Sequence, residues 1–293
     1  MIKRAYKYRI YPNKLQKEYF AKCFGCVRFF YNKSLEDQIK IYKYEGKHKN
    51  ITPATYKNSY SFLKEVDSLA LANAQLDRER AFKAFFLKQN RFPKFKSKKN
   101  EQSYSTNNQN GTVSFSGDNK YINIPKCHNI RIKKHRDFEG KIKTVTIRKT
   151  TDDKYYISLL VDDTKDLKLE IDDTYIGLDL GLKDFIVTSN KEKFSNPKNL
   201  SISLGKLKKE QRKLSHMKKG GNNYNKQRIK IAKIHKEIEN RRSDYLHKLS
   251  LHIIKENQFI CIEDLKIKIC KKNQKNNNDE YKCCYFGLLQ SNG

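Results

Sequence analysis

Two carboxylates stand where chemistry is expected. Asp179 closes the apolar run TYIGLD, and Glu263 closes the run QFICIE 84 residues further along. Open mixed sheets gather functional groups at the C-terminal ends of their strands, so the two carboxylates converge if these runs are neighbouring strands. Acids forced together repel, and one must keep its proton unless a cation lies between them. Carboxylate oxygens suit a hard divalent ion, Mg2+ or Mn2+. A pair of such ions can orient water and stabilise the leaving oxygen of a phosphodiester. In the alternative reading, Asp179 caps the turn that contains Gly181 and Glu263 caps the segment after it.

The rest of the chain selects a polyanion. Of 293 residues, 63 are Lys or Arg and 32 are Asp or Glu, a formal net charge of +31. That field is far larger than solubility requires and attracts polymers of phosphate. An anionic lipid surface is the weaker reading, and the abundance of Lys, Asn, Ile and Tyr means that part of the excess can reflect coding bias. In KQNRFPKFKSKK (88–99), Arg91, Lys94, Lys96, Lys98 and Lys99 interleave with Phe92 and Phe95, and no acid intervenes. Cations there can grip a backbone while a ring stacks on an exposed base; the alternative is a solvated linker. Residues 205–250 carry fifteen Lys or Arg against four acids. Their contact candidates are Lys208, Lys209, Arg212 and Lys213, then Lys218 and Lys219, then Arg228, Arg241 and Arg242.

Strand–Asp-x-Gly–hairpin also occurs in sugar kinases and actin-like ATPases. Those need a second Gly-rich hairpin and an adenosine site; neither is visible here. Seven cysteines, an odd number with no export signal ahead of them, read as reduced thiols in a cytoplasmic protein. No apolar run is long enough to cross a bilayer. Cys23 and Cys26 have the spacing of half a zinc site but lack a second pair, and adjacent Cys283 and Cys284 are no better, so no zinc is expected. His235, His247 and His252 read as surface or boundary residues.

Several elements must position these groups. Eighteen Tyr and sixteen Phe supply burial, and the length suits about two domains. A strand is predicted over Tyr6 to Ile10, and a helix from Pro12-Asn13 towards Leu35. Thr52-Pro53-Ala54 resembles a helix start, so that helices fill about 12–90. Strands are predicted at Gly111 to Phe115, Tyr121 to Ile124, Lys141 to Arg148 and Tyr155 to Val161, antiparallel and suggestive of a small barrel. Acidic residues 161–173 read as a linker. Beyond it come the Asp179 strand, a second strand through Phe185 to Val187, two basic helices broken at KKGGNNYN, and the Glu263 strand.

These pieces carry a resemblance. YRIYPNKLQ (8–16), FGCVRFFYNKSL (24–35), PKFKS (93–97), IGLDLGLKDFIVTS (176–189), FSNPK (194–198), LKKEQRKLSHMKKG (207–220), KIHKEIENRRSDYLHKLS (233–250) and IEDLKI (262–267) resemble, in order, the transposon-encoded OrfB/TnpB proteins. That family consists of RNA-guided DNA nucleases of insertion sequences, commonly described as transposases and related to type V CRISPR effectors. The resemblance implies a multidomain α+β and α/β chain. Residues 1–165 would be a helical region with a small antiparallel β-barrel, and 174–270 an incomplete RNase H-like, RuvC-type mixed-sheet nuclease domain. It implies guide RNA and DNA as partners and no membrane. Asp179 resembles the first metal-binding carboxylate and Glu263 the second, for Mg2+ or Mn2+; Asp184 and Asp264 accompany the motifs without being ligands.

The sequence departs from the family beyond about residue 270. The expected helix, zinc ribbon and third catalytic Asp in a D-x-N-A-like motif have no counterpart in 271–293, and YKCCYFGLLQSNG reads as an aberrant, frameshifted tail. The expectation is a transposon-associated nucleic-acid-binding protein whose metal-dependent hydrolysis is impaired. The alternative is a non-catalytic RNA- or DNA-binding remnant, or a non-functional fragment.

Overall fold

The computed structural model describes residues 2–46, 49–164, 174–181, 184–196 and 199–262. They fall in two compact units, Met1–Asp166 and Leu167–Gly293.

The first unit sets helices against a curled antiparallel sheet. In chain order it holds β1 (Ile2–Tyr11), α1 (Lys14–Glu45), α2 (Pro53–Lys57), a 3-10 turn (Ser61–Lys64), α3 (Ser68–Phe86), β2 (Gln102–Asn107), β3 (Ser114–Phe115), β4 (Tyr121–Ile124), β5 (Cys127–Lys133), β6 (Gly140–Lys149) and β7 (Tyr155–Asp163). The strand order is β2-β6-β7-β1-β5-β4-β3. Among the described residues β2 and β3 form the two edges, so the expected small barrel is a half-barrel. Two-residue β3 is too short to extend the ladder, and α3 packs against β2 at the other edge. The concave side is filled by Phe20 and Phe24 of α1, ring to ring with Tyr104 of β2.

Local sequence explains where these elements begin and end. Asn13 and Gln16 form a reciprocal capping box that starts α1. The helix passes the expected stop at Leu35 because Glu36 pairs with Lys40 and Lys33 pairs with Asp37, and no breaker intervenes before Gly46 at φ +67. Cys23 and Cys26 lie on the buried face of α1 and are unbridged. Burial pushes the Cys23 thiol up to about 12, so its place in the helix is that of an apolar core residue. The strand expected over 111–115 shrinks to Ser114–Phe115 because Asn110 and Gly111 both take positive φ and turn the chain. β2 and β5 are strands that the sequence reading missed: QSYSTN is largely polar, whereas in CHNIRIK the alternation of Ile130 and Ile132 with Arg131 and Lys133 covers only four residues.

The linker expected from residue 161 is a strand for its first three residues. Asp163 is drawn inside because its carboxylate accepts hydrogen bonds from the Tyr6 hydroxyl and, at 3.2 Å, from the Arg4 guanidinium. Residues 165–173 of that linker lie outside the described residues.

The second unit contains β8 (Tyr175–Asp179), β9 (Asp184–Thr188), β10 (Lys193–Ser195), α4 (Asn199–Ser215), α5 (Asn222–Glu256) and β11 (Phe259–Ile262). Its sheet runs β10-β9-β8-β11; β11 is parallel to β8 and the other pairs are antiparallel. Ile176, Leu178 and Ile186 pack with Leu249 and Ile253 of α5 to form its core. α4 and α5 meet through Leu207, Ile231 and Ile234. Among the described residues no helix is long and apolar enough to cross a membrane.

Gly140 is held at φ +135 opposite Asp163, where a Cβ would lie 1.9 Å from the Asp162 carbonyl oxygen. Gly140→Ala is expected to lower the unfolding free energy of the first unit by about 2–3 kcal/mol, read by urea titration followed by circular dichroism. A change within about 0.5 kcal/mol, the range of a neutral surface substitution, would contradict this close approach.

Candidate functional site

Asp179 is the last residue of β8, opposite Val187 of β9, and is exposed. The turn beyond it is tight: the Gly181 amide donates to the Phe185 carbonyl at 3.4 Å, and a Cβ on Gly181 would lie 2.6 Å from the Asp184 carbonyl oxygen. The base of the hairpin is tied by the Ser189 amide to the Gly177 carbonyl and by the Gly177 amide to the Ser189 hydroxyl. These contacts fix the Asp179 backbone, while no hydrogen bond among the described residues caps its carboxylate.

β11 lies beside β8 in parallel register, Phe259 against Tyr175 through Ile262 against Leu178. The two apolar runs are thus neighbouring strands. Glu263 lies outside the described residues, as do 271–293. Among the described residues no group of three or more His, Cys, Asp or Glu side chains forms a metal cage. Asp179 itself offers two carboxylate oxygens at a strand end, a donor type that fits a hard divalent cation.

The basic candidates divide by element. On α4, Lys208, Lys209, Arg212 and Lys213 share one face with Gly205 and His216 and line an open groove. Their spacing of three and four residues puts cations on one stripe and Leu207 on the other. That face is held in place by Glu210, which is buried. Its carboxylate accepts from Gln227 of α5 at 2.7 Å and pairs with Lys230 at 3.0 Å and Lys213 at 3.4 Å, while the Glu210 carbonyl also accepts from Gln227. Lys218 and Lys219 are exposed between the helices, and Arg228 is exposed on α5. Arg241 pairs with Glu237 at 2.7 Å, and Arg242 is half-buried. His235 and His247 are exposed, and His252 meets Glu256 at 2.9 Å.

Residues 88–99 form an irregular segment in which Arg91, Lys94, Lys96, Lys98 and Lys99 are exposed. Lys96 is pinned at both ends: its backbone exchanges hydrogen bonds with Asn32, and its ammonium sits 4.2 Å from the Tyr31 ring centre. Phe95 and Phe92 are both exposed, and Phe92 also packs edge-on against Phe82 and Phe85 of α3.

A second basic surface was missed in the sequence. Strand register sets Arg148, Tyr156, Arg9 and Lys133 in one row across β6, β7, β1 and β5. The next row is Tyr11, Arg131 and Tyr121. Arg9 and Arg131 lie 5.0 and 5.9 Å from the Tyr11 ring centre. The alternation in KRAYKYRIY was its only trace; the rows exist only through pairing between distant strands.

The second unit thus carries an exposed strand-end carboxylate, and each unit carries cation-bearing elements of its own. A family profile described as probable transposase matches residues 158–274, and one described as a helix-turn-helix domain matches 1–47. In this chain the latter stretch is one strand and one unbroken 32-residue helix. A protein of Streptomyces pristinaespiralis named as an RNA-guided DNA endonuclease is 31% identical over 98% of this chain and 76% of its own length. InsQ of Escherichia coli (strain K12), named likewise, is 30% identical over 92% of this chain and 68% of its own. A CRISPR-Cas12f ternary complex aligns with 85% of this chain and 63% of that chain at 14% identity, with a TM-score of 0.37 that is too low to bear on the fold. This chain belongs to the OrfB/TnpB family.

The Gln227 hydrogen bond, with Lys230 and Lys213, lowers the Glu210 carboxyl to about 2 from an ordinary 4.5. A depressed carboxyl contributes stability that is complete above its unfolded value and is lost as pH falls through its folded one. The α4–α5 pair is therefore expected to loosen between about pH 4.5 and pH 2, seen as faster amide exchange in both helices. In Glu210→Gln that added pH dependence should disappear; an unchanged profile would show that Glu210 does not hold the pair.

Proposed function

We propose that this chain binds guide RNA and target DNA in the cytoplasm, and that Asp179 and Glu263 are the carboxylates of a phosphodiester-hydrolysing RuvC-type centre. One observation carries the reading. Asp179 ends β8, and its parallel neighbour β11 is described up to Ile262, opposite Leu178, so one further step of the same ladder would bring Glu263 beside Asp179. The relatives named as RNA-guided DNA endonucleases support the choice of substrate.

In this reading the protein's part is positional. The β8–β9 hairpin holds Asp179 at the strand end, and burial of Ile176 and Leu178 anchors that strand from beneath. The stripe on α4 neutralises phosphates on either side of the scissile bond. A bound Mg2+ or Mn2+ would supply an activated water and charge stabilisation for the leaving oxygen.

Nucleic-acid binding should fall steeply with salt, log K against log concentration having a slope steeper than about −4. Reconstitution of the 293-residue chain with guide RNA, matched DNA and Mg2+ tests both parts. Tight, salt-sensitive binding with Mg2+-dependent cutting is expected, and Asp179→Ala should remove the cutting while leaving binding unchanged. Guided cutting that Asp179→Ala leaves intact would overturn the catalytic role of Asp179. Failure to bind at low salt would overturn the whole reading.

A further inference from the structure

The C-terminal end of α3 carries an aromatic surface that neither the charge pattern nor the carboxylate site explains. Phe86 is 67% exposed and Leu87 is 57% exposed on the last turn of this helix. Phe82 stacks on Phe86 with the rings 22° apart and centroids at 6.4 Å, and Phe85 packs against it at 5.4 Å. Phe92, folded back from the following segment, meets Phe82 and Phe85 edge-on at 84° and 83°. Phe86 is therefore held rigidly from one side and from below, with much of its ring open.

The backbone presents a cation at the same place against its own preference. The Lys88 amide donates to the Phe85 carbonyl and the Gln89 amide to the Ala84 carbonyl, the two bonds of a Schellman ending. The residue at its left-handed position, where glycine is the unstrained choice, is Lys88 at φ +57. Strained backbone that a glycine would relieve is a pointer to function. From 80 to 100 the sequence contains eight Lys or Arg and no acid. Among the described residues no carboxylate pairs with Lys88 or Arg91.

We infer that Phe86 is a stacking platform for an unpaired nucleobase, with Lys88 and Arg91 holding the flanking phosphates of a single-stranded polynucleotide. The ring stack begun by Phe82 and Phe86 would continue into the base. An aromatic face accepts any base, and cations beside it follow the backbone. A second copy of this chain is disfavoured as occupant because two all-cationic rims would meet. The inference rests on the nucleic-acid-binding function proposed above and names the base-binding part of it.

The test uses the full chain with oligothymidylate and oligouridylate of about 20 nucleotides and a duplex of equal length, each titrated across a salt series. Phe86 is largely exposed, so Phe86→Ala is expected to fold, which circular dichroism checks. The variant should bind single strands about tenfold more weakly at every salt concentration, with an unchanged salt slope. Phe86→Trp should restore binding, and the duplex should show a smaller loss. The two single-strand arms tell whether RNA or DNA is preferred. Lys88→Gly should do the reverse of Phe86→Ala, flattening the salt slope by about one while raising the melting temperature through relief of the left-handed strain. Wild-type binding that Phe86→Ala leaves intact, a loss equal on duplex and single strand, or a change of oligomeric state in its place would overturn the platform alone. No wild-type binding at low salt would overturn both the platform and the function it rests on.

Discussion

The parallel contact between β8 and β11 is the constraint on which the second unit depends. It joins positions 84 residues apart in register, and parallel neighbours require a long crossover. Here that crossover includes the β9–β10 ribbon and the α4–α5 pair. α5 both completes the return path and covers the sheet through Leu249 and Ile253. A carboxylate at the end of β8 is thereby placed at the edge of a packed sheet, with its backbone opposite Val187 of β9 and its side chain exposed. Position follows from burial beneath the strand, and chemistry is left to what approaches from above.

A chain of +31 must also keep its own cations from driving it apart. It does so with few acids, used where they count. Glu210 gathers Lys213 and Lys230 between α4 and α5. Asp163 gathers Arg4 at the end of β7, and Asp152 pairs with Lys154 at 2.7 Å in the β6–β7 turn. Buried carboxylates of this kind are costly to strip of their partners. Each therefore fixes an element near a cationic surface, and the remaining lysines and arginines stay outward. Where cations lie next to rings instead, as Arg9 and Arg131 do beside Tyr11, the ring's face takes the place of an acid.

Much of this was legible in the sequence, and the exceptions have physical causes. Three-and-four spacing announced α1, and the apolar runs ending at Asp179 and Ile262 announced strands that the structure pairs. The stripe on α4 was readable for the same reason, because helical spacing is local. What local pattern cannot carry is partnership between distant segments. The row from Arg148 to Lys133 depends on three strand pairings. Asp163 looked like linker because an acid near other acids reads as solvated, and only Tyr6 and Arg4, far upstream, make it a buried residue. Phe92 and Phe95 read as rings of a basic loop, and both are exposed. That Phe92 also packs on Phe82 and Phe85, and that Phe86 on the helix before it is open, depends on a chain fold-back that spacing does not carry. Polar strand β2 was invisible because its burial is supplied largely by neighbours, and β5 because its alternation around Ile130 and Ile132 is short.

In the proposed function the strand-end carboxylate of β8 would hold a divalent cation within a nucleic-acid-binding protein. Electron paramagnetic resonance of Mn2+ titrated into the full chain tests it most directly, independently of turnover. Bound Mn2+ that Mg2+ displaces and that Asp179→Asn abolishes, with helix content unchanged, is expected. Mn2+ binding equal in the wild type and in Asp179→Asn would contradict it.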